Sequence, residues 1–329
     1  MVHTIVIFCL LFILAFETSC DDTSVALLKD WMLISISTRT QIEHTITWWV
    51  VPEVAARLHA NAIFPCIFDV LKDWNISIDE VDYIACTSYP WLLPSLLTGM
   101  TVAKTLADAI QKPIIWVNHI EGHIFANFLD RSPDDIIFPW IVLTVSWWHN
   151  ELYIWRSLFE MERIWETIDD ASWEAFDKVA KMMWFWFPGG PIVSKLASNY
   201  IGSYEWIFPL VLLEKDSLNF SFSGLKTAVK REIDKGLMSF EKIAFEFEQT
   251  VVRILTKKLF LAAKQYNISY LYLAWWVSSN NILKEFISSA WWELGYKTLF
   301  PVKSIYSQDN AAMIAIRAYY EIISRGVGK

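Results

Sequence analysis

Two stretches decide how this chain folds. The first is Ile5-Val6-Ile7-Phe8-Cys9-Leu10-Leu11-Phe12-Ile13-Leu14-Ala15-Phe16, followed by Glu17-Thr18-Ser19-Cys20-Asp21-Asp22-Thr23 and then the apolar 24–28. The second is Ile141-Leu143-flanked 141–146, followed by Trp147-Trp148-His149-Asn150 and then 151–155. Each reads as strand, polar turn, strand, because a short apolar run bounded by turn residues suits a buried strand. The two units lie about one domain length apart, so the chain reads as a duplicated fold. The run 5–16 is too short to span a bilayer. Only His3 precedes it and no small-residue cleavage site follows, so it reads as a strand and not as a signal peptide. A membrane anchor at 5–16 would instead make the chain pellet with lipid vesicles.

Outward from these units, strands are expected at 81–87, 114–118, 270–274 and 298–301. Helices are expected at 54–74, 95–110, 172–183, 224–236, 240–267, 281–294 and 310–325. The stretch 187–191, Phe-Pro-Gly-Gly-Pro, is expected to break the helix before it. Alternating strands and helices indicate an α/β protein. The pattern is that of two ribonuclease-H-like lobes around a central nucleotide cleft, as in the actin, hexokinase and Hsp70 superfamily. The expected lobes are 1–112 with 298–329, and 113–297.

Composition narrows the function. Charged residues make up 19% and hydrophobic ones 54% of the 329 residues, which excludes a disordered chain. A net charge of −8 excludes a general nucleic-acid binder, so an RNA partner would need a local basic patch. Lys226, Lys230, Arg231 and Lys235 could supply one, or could form a solvated helix face. Cys9, Cys20, Cys66 and Cys86 have no metal-site or disulfide spacing, and point to a reducing compartment. The chain holds 19 Trp but 10 Gly, where ordinary usage is roughly 7% Gly. Several Trp stand in tandem: Trp48-Trp49, Trp147-Trp148, Trp275-Trp276 and Trp291-Trp292.

His119-Ile120-Glu121-Gly122-His123 places two imidazoles at i and i+4 on one helix face, a spacing that can hold a metal ion. In a zinc protease the glutamate directly follows the first histidine; here it is displaced by one, which puts the general base out of place.

With Glu17–Thr23, the sequences Val50-Val51-Pro52-Glu53, Asn118 to His123, Glu166-Thr167-Ile168-Asp169-Asp170, Glu174-Ala175-Phe176-Asp177-Lys178, Phe187 to Pro191, Phe220 to Thr227 and Ser307 to Ala312 run collinearly. Together they resemble the tRNA adenosine threonylcarbamoyltransferase family over essentially the whole chain. The resemblance implies transfer of a threonylcarbamoyl group from threonylcarbamoyl-AMP to the exocyclic amine of the adenosine beside the anticodon in ANN-decoding tRNAs. It implies one Fe2+ (Zn2+ as the alternative) held by His119, His123 and Asp309. It implies substrate contacts at Thr144, Val145, Ser146, Trp147, Trp148, Asp177, Gly190 and Asn280. A cytoplasmic enzyme working with a smaller paralogous subunit and a P-loop ATPase follows from the same resemblance, and no membrane role does.

The chain departs from the family pattern where that pattern has glycine. The tandem pairs at 48–49, 147–148 and 275–276 stand at family Gly-Gly positions. Ala15, Tyr89, Trp91, Pro94, Trp165, Trp173, Trp184, Trp186 and Ala311 stand at single ones. Glycine lets backbone amides reach a phosphate and takes φ > 0 without penalty. The expectation is therefore a chain that keeps the metal ligands but binds nucleotide poorly. The alternative is a non-catalytic relative acting as a subunit-binding scaffold.

Overall fold

The computed structural model describes residues 11–44, 50–145, 150–167, 169–185, 188–210, 219–275 and 281–326. The chain divides into two compact units, Met1–Ile136 with Pro301–Lys329, and Ile137–Phe300.

In chain order the first unit contains β1 (Phe12–Glu17), β2 (Asp22–Lys29), β3 (Met32–Thr40), α1 (Pro52–Asp73), β4 (Tyr83–Tyr89), α2 (Leu93–Ala109), β5 (Ile114–Asn118) and α3 (His119–Phe125). The second contains β6 (Trp140–Val145), β7 (Asn150–Ser157), β8 (Glu160–Glu166), α4 (Ser172–Met182), α5 (Gly189–Ser198), α6 (Ser223–Lys235), α7 (Phe240–Tyr266), β9 (Tyr270–Ala274), α8 (Asn281–Leu294) and β10 (Lys297–Leu299). The chain then returns to the first unit with α9 (Ala311–Ser324).

The two sheets share one topology. The first runs β3-β2-β1-β4-β5 and the second β10-β9-β6-β7-β8, the same order read from the other edge. In each, the first three strands form an antiparallel meander. In each, the first strand also pairs in parallel with a strand reached through helices. The central strands are apolar throughout because both faces are covered. Ile13, Leu14, Ala15 and Phe16 are fully buried in β1, and Ile141, Val142 and Leu143 in β6.

The strand expected at 5–16 is described from Phe12 and runs on to Glu17, which pairs with Ser24; residues 1–10 lie outside the described residues. The third strand of each meander, β3 and β8, was not expected from the sequence. Both lie at a sheet edge with one pairing partner, so almost none of their residues is fully buried and neither carries a continuous apolar run. Helix α4 already ends at Met182, ahead of the Phe-Pro-Gly-Gly-Pro stretch expected to break it, and Gly189 opens the next helix, α5. Pro191 sits in its first turn, where a missing N–H costs nothing. Helix α1 is, among the described residues, long and apolar enough by composition to cross a membrane. Its stripe of Ala55, His59, Ile63, Cys66 and Val70 is nevertheless buried, and it packs on β2, β3 and α2.

Helix C-termini carry information on the tryptophans. After α4, the Trp184 amide donates to Lys181 at 3.1 Å and the Phe185 amide donates to Ala180 at 3.0 Å, with Trp184 at φ 66°. That is a Schellman end with tryptophan at the left-handed position, where glycine is the usual residue. Asn75, Gln111 and Asn267 close their helices with the same pair of bonds. A left-handed non-glycine costs roughly 1–2 kcal/mol, and Trp184 is 85% exposed, so its burial offsets little of this. Trp184→Gly should therefore raise stability by about 1 kcal/mol, less the few tenths that glycine costs through the unfolded chain. Chemical denaturation would show an increased midpoint; a decreased one would mean that the indole stabilises the helix end.

Candidate metal centre

Three elements of the first unit bring the ligand candidates together. Strand β5 ends at Asn118, whose side chain accepts from the Ile120 amide at 2.8 Å and caps α3. That cap fixes the start of the helix, so His119 and His123 project from one face a turn apart. Asp309 comes from the turn before α9. Its neighbour Asn310 caps that helix by accepting from the Met313 amide at 3.1 Å, and the Ala311 amide donates to Ser24 Oγ at 3.0 Å. The turn is thus tied both to its own helix and to β2.

The donor atoms converge. His123 Nε2 lies 3.0 Å from His119 Nε2 and 2.9 Å from Asp309 Oδ1, and His119 Nε2 lies 3.5 Å from Asp309 Oδ1. Both histidines are fully buried. An ion at about 2.0–2.2 Å from each donor would set neighbouring donors about 2.8–3.6 Å apart, for angles between right and tetrahedral. The observed spacings fall in that range. Two nitrogens and one carboxylate suit iron, zinc or another first-row ion, and leave open positions for a substrate.

The charge around the cluster favours a cation. Burial alone would hold His119 neutral, but Asp309 and Glu17 outweigh it and raise its pKa to about 10. Burial and the neighbouring His119 charge lower His123 to about 4, against the pull of Asp309. Burial likewise acts to raise Asp309, and the two histidines overcome it and hold the carboxyl far below its usual range. Asp22, pushed up to about 7 by burial, also feels the charges of Asp21, Asp309 and Glu17. Without a metal, the proton on His119 supplies the positive charge that these carboxylates require.

The sequence reading assigned no role to the surroundings of His119. Its Nδ1 lies 3.0 Å from Glu17 Oε2 and 3.1 Å from Ser19 Oγ. The Trp91 ring meets His119 edge-on at 5.8 Å. A signal for Glu17 was available: it is an acidic residue ending a fully apolar strand, a place where a charge is buried only if it is paired.

The residues expected to contact substrate lie in the second unit. Thr144 and Val145 end β6 and are buried. Asp177 accepts from the Gly189 amide at 2.7 Å, so it caps α5. The Trp173 indole lies directly against Gly190, where even a Cβ would collide with the ring. Ser146, Trp147, Trp148 and Asn280 lie outside the described residues, as do Trp48, Trp49, Trp186 and Trp276.

Two sheets of one repeated topology, the first carrying a buried His–His–Asp cluster, define a two-unit protein with the actin-like ATPase fold. Solved structures bear this out at the level of fold alone. HypF from T. kodakarensis matches with a TM-score of 0.65 at 11% identity, covering 97% of this chain and 49% of that one. The activator of 2-hydroxyisocaproyl-CoA dehydratase from Clostridium difficile, solved with bound ADPNP, matches with a TM-score of 0.53 at 10% identity, covering 96% and 97%. Sequence comparison is more specific. A profile of tRNA N6-adenosine threonylcarbamoyltransferase matches residues 32–316. The chain is 41% identical over 320 residues to the protein of that name from Thermosipho africanus, covering 96% of this chain and 95% of the relative. It is 42% identical over 315 residues to the one from Staphylococcus epidermidis, covering 94% and 91%. The chain belongs to the tRNA N6-adenosine threonylcarbamoyltransferase family.

Proposed function

We propose that this chain transfers a threonylcarbamoyl group from threonylcarbamoyl-AMP to the exocyclic amine of an adenosine in ANN-decoding tRNA, in the cytoplasm. The observation that carries the reading is the buried convergence of His119, His123 and Asp309 in a chain of this family. These three residues would hold one Fe2+, or Zn2+ in its place. When bound, the ion supplies Lewis-acid polarisation of an oxygen of the acyl donor. Asp309, His119 and His123 would fix its position with one carboxylate and two imidazoles. In the transfer, the amine nitrogen forms a bond to the carbamoyl carbon, the bond from that carbon to the AMP oxygen breaks, and the amine loses a proton. Thr144, Val145, Asp177 and Gly190 of the second unit, with Ser146, Trp147, Trp148 and Asn280, would bind the adenylate. A smaller paralogous subunit and a P-loop ATPase are the partners this reading expects.

The test is direct. Purified chain loaded anaerobically with Fe2+, given threonylcarbamoyl-AMP and an ANN-decoding tRNA, should yield the modified adenosine, and chelation should stop it. A second reading, a subunit-binding scaffold without catalysis, is favoured by the Trp173 ring seated on Gly190. It predicts no product under conditions where the Thermosipho africanus relative makes it, together with partner-subunit binding that needs no nucleotide.

A further inference from the structure

The buried carboxylate of Glu17 has no role in the reading above, yet its contacts are directional. Oε1 accepts from the Ser19 amide at 2.6 Å. Oε2 accepts from Thr87 Oγ1 at 2.5 Å and faces His119 Nδ1 at 3.0 Å. The residue is fully buried, and its donors come from the turn after β1, the end of β4 and the start of α3. A carboxylate pinned by two other donors has little freedom to turn. It therefore accepts the Nδ1 proton of His119 and leaves Nε2 facing His123 Nε2 and Asp309 Oδ1. Buried carboxylate–imidazole pairs of this kind set the tautomer and ring orientation of a metal-binding histidine and increase its basicity.

We propose that Glu17 is a positioning residue for the metal centre: it selects the His119 tautomer whose Nε2 lone pair points at the ion, and Thr87 and Ser19 hold it in place. The inference rests on the metal reading, so its test uses metal affinity as well as activity. Wild-type, Glu17→Gln and Thr87→Val proteins, each checked for native circular dichroism, are titrated with Co2+ and followed by visible absorption. Glu17→Gln should weaken binding about 10–100-fold, the usual effect of losing such a partner, and shift the absorption bands. Thr87→Val, which removes one of the two other donors, should give a smaller loss in the same direction, and decides the matter if the glutamine variant does not fold. Wild-type affinity in Glu17→Gln, or in Thr87→Val where that variant has to decide, overturns the positioning role. No Co2+ binding by wild-type protein overturns the metal reading itself.

A separate observation concerns the backbone. Among the described residues, eight non-glycines have positive φ. Four are Asp30, Asn75, Asp130 and Asn267, whose short polar side chains tolerate that region, and a fifth is Gln111. Three are tryptophans: Trp184 at 66°, Trp206 at 59° and Trp275 at 75°. A bulky residue there is an outlier, and a ring contact such as that of Trp206 with Arg253 at 4.5 Å does not favour left-handed backbone. Glycine is short by a matching amount, with 10 present against about 23 at ordinary usage. Tryptophan is in excess at 19, with tandem pairs. By contrast Trp155 is buried in β7, its indole N–H donates to the Leu158 carbonyl at 3.3 Å, and its ring meets Phe138 edge-on at 5.4 Å.

From this the geometry points to two classes of tryptophan. Trp184, Trp206, Trp275 and the tandem pairs at 48–49, 147–148 and 275–276 are positions at which the cell of origin inserts glycine, through reassignment of the triplet that is spelled here as tryptophan; Trp155 is a true tryptophan. Peptide sequencing by mass spectrometry of the protein isolated from its own cells tests this. Glycine at 184, 206 and 275 with tryptophan at 155 is the expected result. Tryptophan at 184, 206 and 275 overturns it.

Discussion

Asp309→Ala should leave a folded protein that cannot retain iron and forms no detectable modified adenosine. Asp309 supplies the cluster's only oxygen donor, 2.9 Å and 3.5 Å from the two Nε2 atoms. A complete structural zinc site is worth about 10–16 kcal/mol, so one donor of several accounts for roughly 3 kcal/mol, or about 100-fold in affinity. Loss of polarisation at the reacting oxygen would lower the rate by a further several kcal/mol. The fold should survive because the cap of α9 belongs to Asn310. A pH series on the metal-free protein separates the two roles of the carboxylate. The folded pKa of His119, about 10, lies above its ordinary value of 6.5. The stability from its pairing with Asp309 and Glu17 is therefore fully present below pH 6.5 and lost as pH rises through about 10. Asp309→Ala should flatten that decline. Iron retained by the alanine variant at wild-type occupancy would remove Asp309 from the site.

Replacing Trp147, Trp148 and Trp173 together by glycine should raise the affinity for a non-hydrolysable threonylcarbamoyl-AMP analogue at least tenfold by calorimetry. The physical reason is steric and dielectric at once. A phosphate is bound by backbone amides only where no side chain stands between them. At Gly190 the Trp173 ring occupies the space that the amide would otherwise offer. Removing one well-seated indole also carries a cost, because Trp173 stacks on Phe176 with centroids 6.1 Å apart. Thermal stability should therefore change less than affinity does. If the chain with its tryptophans binds the analogue as tightly as the glycine variant, the indoles do not obstruct the site.

The two histidines of the candidate metal centre were legible from residue type and spacing for a local reason. Two histidines four apart on a helix face meet whatever surrounds them, and the Asn118 cap that starts the helix is adjacent in the chain. Asp309, 186 residues beyond His123, came only from resemblance to a family. Nothing in its neighbourhood marks it as a ligand, since its position depends on α9 returning to the first unit. Glu17 was quoted as part of a turn and given no role. Its meaning lies in three contacts that span up to 102 residues of sequence. Asp177, expected at substrate from the same resemblance, also accepts from the Gly189 amide at the start of α5, a contact that only the fold creates.

From its sequence alone the chain is a duplicated α/β protein, because apolar runs with the period and length of buried strands recur in both halves. Helix limits followed within a few residues for the same reason: periodicity and caps act over one or two turns. Tertiary structure alone decided that the edge strands β3 and β8 complete each sheet, since an edge strand is defined by its partner and carries little pattern of its own. It also decided which carboxylate faces which imidazole, and which tryptophans sit in left-handed backbone. Those are properties of position in space, where residues distant in the chain share one buried volume and settle their charges and shapes together.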